Sequence, residues 1–255
     1  MTERSAGILC HISSLPGKYG IGSLGQEAYR FAKILAKNGV KYWQILPLVQ
    51  TGFGDSPYQS VSCDSGNPYF IDLEMLRKEG LLTKQDLKAA EHTGAIDYGA
   101  LYEARYGTLR VAFSRFFFDD PDFRAYVKSG VSEDYALFMT AKTGYGGRFC
   151  DWDEDLKCHR TDAVEQLRTD YHEEYLFWQF VQYEFRKQWF ALKAYCNGLG
   201  VRIIGDIPLY VAYDSADVWA HSELFKLDKN LNSSKVAGVP PDYFSADGQL
   251  WGNPL

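Results

Sequence analysis

An α/β fold built on a parallel sheet is what the sequence predicts, and three observations carry that expectation. A strand, a helix and a second strand fit inside about forty residues near the N-terminus, the span of a βαβ unit, which pairs its strands in parallel. A third segment, 201–211 (Val-Arg-Ile-Ile-Gly-Asp-Ile-Pro-Leu-Tyr-Val), is apolar on both faces, as a parallel strand covered on two sides is. Between the second and third strands the periodicity is helical.

The first apolar run, 6–12, ends in Ser13-Ser14-Leu15-Pro16-Gly17 and reads as a buried strand delivering a polar loop. Ser23, with Gln26 three residues on, gives a capping-box signal. Leu24, Ala28, Phe31 and Leu35 then follow at helical spacing until Asn38-Gly39. Residues 40–48 (Val-Lys-Tyr-Trp-Gln-Ile-Leu-Pro-Leu) form the second strand. The stretch 50–72 has no period: Gly52, Gly54, Pro57, Gly66 and Pro68 break structure around Tyr58, Gln59, Asn67 and Tyr69. From 74 to 199 helices are predicted over 87–91, 101–118, 122–127, 135–142 and about 171–196, with loops at 119–121 and 144–155. In the last of these helices Tyr171, Tyr175, Trp178, Gln182, Phe185 and Trp189 recur at three- and four-residue steps, a core-packing stripe that stops at Asn197-Gly198. After the third strand, 214–219 (Asp-Ser-Ala-Asp-Val-Trp) has the form of a helix cap.

Composition narrows the function. At 255 residues and 46% hydrophobic content the chain can bury a sizeable core. A net charge of −6 argues against nucleic acid and against an anionic membrane surface, because phosphate binding calls for clustered Lys and Arg; a neutral substrate fits better. The start, Met1-Thr2-Glu3-Arg4-Ser5, shows no export signal, and 6–12 is too short to span a bilayer. Five scattered cysteines without a C-x-x-C pair favour reduced thiols in a cytosolic setting and speak against structural zinc.

Several motifs fail on their surroundings. Gly20-x-Gly22-x-x-Gly25 matches a dinucleotide fingerprint, but seven residues separate it from the strand end and no acidic residue lies between Glu27 and Asp55 to hold a ribose. Gly54-Asp55-Ser56 has the form of an esterase nucleophile, yet none of His11, His92, His159, His172 and His221 has Asp three positions before it. Asp151-x-Asp153-x-Asp155 and Asp228-x-Asn230-x-Asn232 lack the Gly and Glu that complete a calcium loop, and read as solvated turns.

The chemistry concentrates at the C-terminal stretch, 238–254, where three prolines and three glycines exclude regular structure around Tyr243, Phe244 and Trp251. Beside these rings stand Asp242, Asp247, Gln249 and Asn253. Flat apolar faces among hydrogen-bonding groups suit a sugar; rings tucked into a core are the other reading. Asp206, after four mostly apolar positions at the end of the third strand, is a second candidate, because barrels of strands and helices carry functional side chains at strand C-termini. The alternative for it is a buried Asp holding a loop.

Taken together, segments 5–24, 42–48, 55–73, 205–219 and 238–255 resemble the 4-α-glucanotransferases known as amylomaltase or disproportionating enzyme, relatives of the α-amylases. The resemblance rests on ordered strings such as Asp55-Ser-Pro-Tyr-Gln-Ser60, Gly66-Asn-Pro-Tyr69 and Gly248-Gln-Leu-Trp-Gly-Asn-Pro254. It implies an α/β chain that is the N-terminal part of a (β/α)8 TIM barrel, its first three strands, with a large mainly helical insertion. Residues 1–73 would hold strands one and two with a substrate loop, 74–199 the insertion, and 200–255 the third strand and the aromatic loop. The implied reaction is transfer of an α-1,4-glucan segment between maltooligosaccharides, starch or glycogen, in the cytoplasm, without cofactor or metal.

Substrate contacts carried over from the resemblance are Tyr58 near the cleavage point, Asp206 on the cleft floor, Tyr243 and Phe244 against glucan rings, and Gln249 and Trp251 on the acceptor side. Retaining chemistry needs two carboxyl groups roughly 5–5.5 Å apart. In the family these come from later strands, and a barrel needs eight strands where three are evident, so the catalytic groups are expected beyond Leu255 and the chain reads as truncated. A catalytically inactive glucan-binding fragment, or another amylase-family hydrolase, is the alternative. An incomplete barrel would also leave apolar sheet edges open, which implies poor stability or self-association of the isolated chain.

Overall fold

The computed structural model describes residues 4–52 and 54–255, so Met1, Thr2 and Glu3, with which the export-signal reading began, lie outside the described residues. In order, the chain forms β1 (Gly7–Leu9), α1 (Gln26–Lys37), β2 (Tyr42–Gln44), α2 (Leu73–Lys78), α3 (Lys84–Ala89), α4 (Tyr98–Ser114), α5 (Pro121–Lys128) and α6 (Glu133–Tyr145). There follow α7 (Glu154–Lys157), α8 (Thr161–Asp170), α9 (His172–Gly198), β3 (Arg202–Ile204), α10 (Ala216–Ala220), β4 (Val236–Val239) and β5 (Gln249–Pro254). It divides into two compact units, one of Met1–Leu48, Gly66–Ser129 and Phe180–Asp206, the other of Val49–Ser65, Gly130–Gln179 and Ile207–Leu255.

The first unit holds a three-stranded parallel sheet in the order β1-β2-β3, with Gly7 opposite Tyr42 and Tyr42 opposite Arg202. Each strand is three residues long, shorter than the apolar runs that predicted it. The ladder continues only through single bonds such as Ile45 N to Ile204 O, 3.0 Å, before Pro47 and Pro208 present no amide hydrogen. Burial corrects the expectation of strands covered on both faces. Central Trp43 is fully buried, its indole donating to Cys10 O at 2.7 Å, whereas Ile8, Leu9 and Ile204 on the flanking strands are 42%, 56% and 44% exposed. β1 and β3 each have one neighbour in this sheet, and neither strand contains a buried residue.

α1 buries Ala28, Ala32 and Leu35, as its period required, but its cap differs from the expected capping box. Gly25 occupies the cap position without a side-chain bond, and Ser23 Oγ instead donates to Asp72 at 2.7 Å. Asp72 is itself the cap of α2, its Oδ1 accepting from Met75 N at 2.9 Å. A Cβ at residue 25 would stand 1.8 Å from Asp72 Oδ2, which accounts for one glycine of the dinucleotide-like pattern by close packing.

The segment from Gly66 to Asp72 is the hub of this unit. It runs without α-helix or strand, and buried amides on α9 satisfy its backbone. Gln182 accepts from Gly66 N at 2.7 Å and donates to Gly66 O at 2.9 Å; six residues on, Gln188 accepts from Asp72 N at 2.7 Å and donates to Asp72 O at 3.3 Å. Leu24 N donates to Phe70 O, and the fully buried Arg105 guanidinium donates to Ile71 O at 2.5 Å and Tyr19 O at 3.2 Å. Elsewhere in this unit Phe113, Phe116, Phe123, Phe180 and Tyr183 pack on one another, edge-on or tilted, at 4.9–5.7 Å. Of the stripe predicted on α9, Tyr175, Trp178, Gln182 and Phe185 are buried, Gln182 as a clamp for backbone, and Trp189 is only half-buried; the ring contacts above come instead from Phe180 and Tyr183.

In the second unit α10 packs on α6, with Trp219 fully buried between Phe138, Trp152 and His159 at 6.0, 5.7 and 4.4 Å. Its indole donates to Leu156 O at 2.7 Å. Ser215 is the cap of α10, and Asp214, predicted as part of the cap, holds Lys142 at 2.6 Å and Phe149 N at 3.0 Å. The helix α8 was not predicted, because Val164 and Leu167 are its only buried residues and two apolar positions make no readable stripe. Where a loop was expected over 144–155, Asp153 caps the short α7; Asp228 accepts from Asn230 N and Asn232 N, a turn as expected.

Two stability predictions follow from the first unit. A Cβ on Gly66 would lie 1.9 Å from the Phe185 ring, so Gly66→Ala is expected to lower stability by about 1–3 kcal/mol in urea unfolding, and an unchanged midpoint would disprove the clamp. Burial pushes the Glu184 carboxyl up to about 7 despite Lys187 at 2.6 Å, and its Oε2 has no hydrogen-bond partner among the described residues. The folded value lies above the unfolded one near 4.5, so the proton's contribution is full below the latter and lost as pH rises through about 7. This contribution therefore falls between pH 4.5 and about 7, and Glu184→Gln is expected to flatten that fall; an equal slope in both proteins would contradict it.

Candidate functional site

Four of the six residues singled out from the sequence sit on one hairpin. β4 and β5 pair antiparallel, with Gly238 opposite Leu250 and Val239 opposite Gln249. This corrects the expectation that the terminal stretch holds no strand: the breakers Pro240, Pro241 and Gly248 gather in the connection, leaving Gln249–Pro254 free to pair. The tip closes on itself. Asp242 Oδ1 accepts from Phe244 N at 2.9 Å and Ser245 N at 2.8 Å, and Ser245 Oγ donates to Gly248 O at 2.6 Å. With the polar groups spent inward, the rings point out: Tyr243 is 96% and Phe244 89% exposed, 5.6 Å apart and nearly perpendicular.

On β5 the Trp251 indole donates to Gln249 Oε1 at 2.9 Å, and its ring lies 6.1 Å from Tyr210. Leu250, between them, is also exposed. Core packing is thus not what these aromatics do within their unit; they form an apolar, hydrogen-bond-rimmed display of the kind that marks ligand surfaces.

Tyr58, about half exposed, belongs to the same unit. Its loop is a narrow turn-back in which Gly52 N donates to Gln59 O at 2.8 Å and Val61 N to Gln50 O at 3.2 Å. Ser56, tested above as a nucleophile, accepts the Tyr58 amide at 3.3 Å and shapes this turn. The base of the loop is tied to α10: Ala216 N donates to Val61 O at 2.8 Å, and Asp217 accepts from Cys63 N at 3.0 Å. Gln59 Nε2 reaches Asn253 Oδ1 on β5 at 3.4 Å, joining loop and hairpin. Asp206 lies in the other unit, exposed, two residues past β3.

Cys63, at the base of the Tyr58 loop, is paired with a carboxylate. Cys63 Sγ donates to Asp217 at 2.7 Å, and burial together with that carboxylate pushes the thiol up to about 12, in a cavity of about 230 Å³ that Asp134 and His221 also line. All five cysteines are free, and no group of His, Cys, Asp or Glu among the described residues is arranged to hold a metal ion. No helix among them is long and apolar enough to cross a membrane. Asn253, which the sequence offered only as one amide among several, is the contact that sequence reasoning missed; its burial, with Pro254, after four exposed residues becomes visible only once the hairpin is known.

Residues 10–255 match the sequence profile of the 4-alpha-glucanotransferase family. The 4-alpha-glucanotransferase of Clostridium butyricum is 46% identical over 253 residues, which cover 96% of this chain and 52% of the relative. That of Thermus thermophilus is 46% identical over 260 residues, again 52% of the relative. The chain spans about half the length of the curated relatives it matches. Among solved structures, the amylomaltase of Streptococcus agalactiae in complex with acarbose superposes with a TM-score of 0.92 at 42% identity, covering 99% of this chain and 53% of that one. The amylomaltase of Corynebacterium glutamicum, at 19% identity and a TM-score of 0.77, shares the fold. By profile, by identity along nearly its whole length and by structure, the chain belongs to the 4-alpha-glucanotransferase family.

Proposed function

We propose that this chain supplies the glucan-binding surface of an enzyme that transfers α-1,4-glucan segments between maltooligosaccharides, starch or glycogen. The observation that carries the reading is the self-bonded hairpin tip that holds Tyr243 and Phe244 in water, in a chain of this family. Two adjacent exposed rings offer a flat apolar face for stacking, and the C–H faces of glucose match their width and polarity.

The sheet order β1-β2-β3, all parallel, supports reading the strands as the first three of a (β/α)8 barrel, with 74–199 as a helical insertion and 200–255 as third strand plus substrate hairpin. On that reading Asp206 stands at the C-terminal end of the third strand, where barrels place their chemistry. Tyr58 contacts the sugar at the cleavage point; Gln249 and Trp251, locked to each other, face the acceptor. Free cysteines support a cytoplasmic setting. None of the described carboxylates is assigned as nucleophile or acid; a retaining reaction takes that pair from the rest of the barrel. Transfer outruns hydrolysis only when an acceptor sugar meets the glycosyl-enzyme before water does, and an aromatic tip over the site serves both ends.

Replacing both rings, Tyr243→Ala with Phe244→Ala, is expected to weaken maltoheptaose binding by this chain by about tenfold, from roughly 0.5–1.5 kcal/mol per aromatic contact. The same pair in a family member of full length is expected to lower the ratio of transfer to hydrolysis, read as longer oligosaccharides against reducing-end gain. Unchanged affinity and an unchanged ratio would remove the tip from the mechanism.

A further inference from the structure

The pattern along β5 contains an anomaly. Gln249, Leu250, Trp251 and Gly252 are exposed, and then Asn253, an amide, is turned inward and 5% exposed. A buried carboxamide needs partners at both ends, and this one finds them on two different segments. Nδ2 donates to Val211 O at 2.7 Å, in the stretch between β3 and α10, while Oδ1 accepts from Gln59 Nε2 at 3.4 Å, next to Tyr58. Three segments far apart in sequence, the Tyr58 loop, the stretch bearing Tyr210 and Val211, and the aromatic hairpin, meet at one side chain. All three lie in the same compact unit.

The loop carrying Tyr58 is braced along its own length by the bridge between Thr51 and Ser60 and by Gly52 N donating to Gln59 O, and is tied to α10 past Ser60, at Val61 and Cys63; Gln59 adds its tie to the hairpin. We propose that Asn253 is a positioning residue whose carboxamide sets the spacing between Tyr58 and the Tyr243, Phe244 and Trp251 display, so that one glucan chain engages both. The proposal rests on the glucan-binding reading above. A chain of linked sugar rings is recognised by contacts at a fixed spacing, and a loop held loosely forfeits binding energy to ordering on contact. Only an amide serves here: a carboxylate at this position would set an oxygen against the Val211 carbonyl, and an aliphatic side chain would leave both partners unsatisfied.

The test compares the unaltered chain with Asn253→Asp and Gln59→Leu, by calorimetric titration with maltoheptaose and by hydrogen exchange resolved over 50–61, 207–215 and 236–255. Asn253→Asp is expected to raise exchange in 50–61 and 207–215 together and to weaken maltoheptaose by about tenfold, in line with breaking a buried hydrogen bond. Gln59→Leu, milder and partly exposed, is expected to loosen 50–61 alone and to weaken binding less. Circular dichroism checks that each variant folds, and if Asn253→Asp does not fold, Gln59→Leu decides alone. Unaltered exchange in 50–61, or unaltered affinity in a variant whose loop has loosened, overturns the clasp. Failure of the unaltered chain to bind maltoheptaose overturns the glucan reading itself and the clasp with it, so the two failures are told apart by which protein shows them.

Discussion

Two glutamine side chains do for the first unit what a sheet ladder does elsewhere. Gln182 and Gln188, six residues apart on α9, each present an acceptor and a donor to one residue of an irregular segment, Gly66 and Asp72. A buried backbone without secondary structure is costly unless every amide and carbonyl is met. Once met, the segment becomes a rigid platform: it caps α2 through Asp72, receives Leu24 at the entry to α1, and accepts the buried Arg105. Gly66 is required because the clamp brings backbone against the Phe185 ring. The apolar stripe of α9 drives the approach, and the glutamines within it fix the register.

The second unit uses the same device with the opposite aim. There a buried core of Trp219, Trp152 and Phe138 anchors α10, and α10 holds the base of the Tyr58 loop. On this support the hairpin satisfies its own polar groups through Asp242 and Ser245 and turns its aromatic side chains outward. Stability is thereby drawn from the packed tryptophans, while the Tyr243 and Phe244 rings stay exposed on a hairpin carried by that support.

Much of this was legible in the residues. The βαβ start, the helical middle and the third strand follow from periodicity, and the sheet is parallel as the helical crossover between its first two strands required. What escaped depends on partners distant in sequence. Ser23 has the spacing of a capping box, yet Asp72, 49 residues away, takes its hydroxyl. The flanking strands have the composition of buried ones, but exposure is decided by how many neighbours a strand has, which no local pattern encodes. The terminal stretch was rich enough in Pro and Gly to look irregular, yet Gly238, Gly252 and Pro254 lie within the paired strands, and only Pro240, Pro241 and Gly248 fall in the connection. Of the candidate site residues, Tyr243 and Phe244 were identifiable because large rings beside Pro and Gly are conspicuous, whereas Asn253 became distinct only through Gln59, 194 residues before it.

The central claim is that this surface recognises an α-1,4-linked glucan through shape as well as apolar area. Calorimetric titration of the unaltered chain with maltoheptaose and, separately, with the β-1,4-linked cellohexaose tests it most directly. The two ligands offer the same sugar faces in different curvature, so the account predicts saturable binding of maltoheptaose and at least tenfold weaker binding of cellohexaose, about 1.4 kcal/mol. Equal affinity for both, or heat from neither, would contradict it.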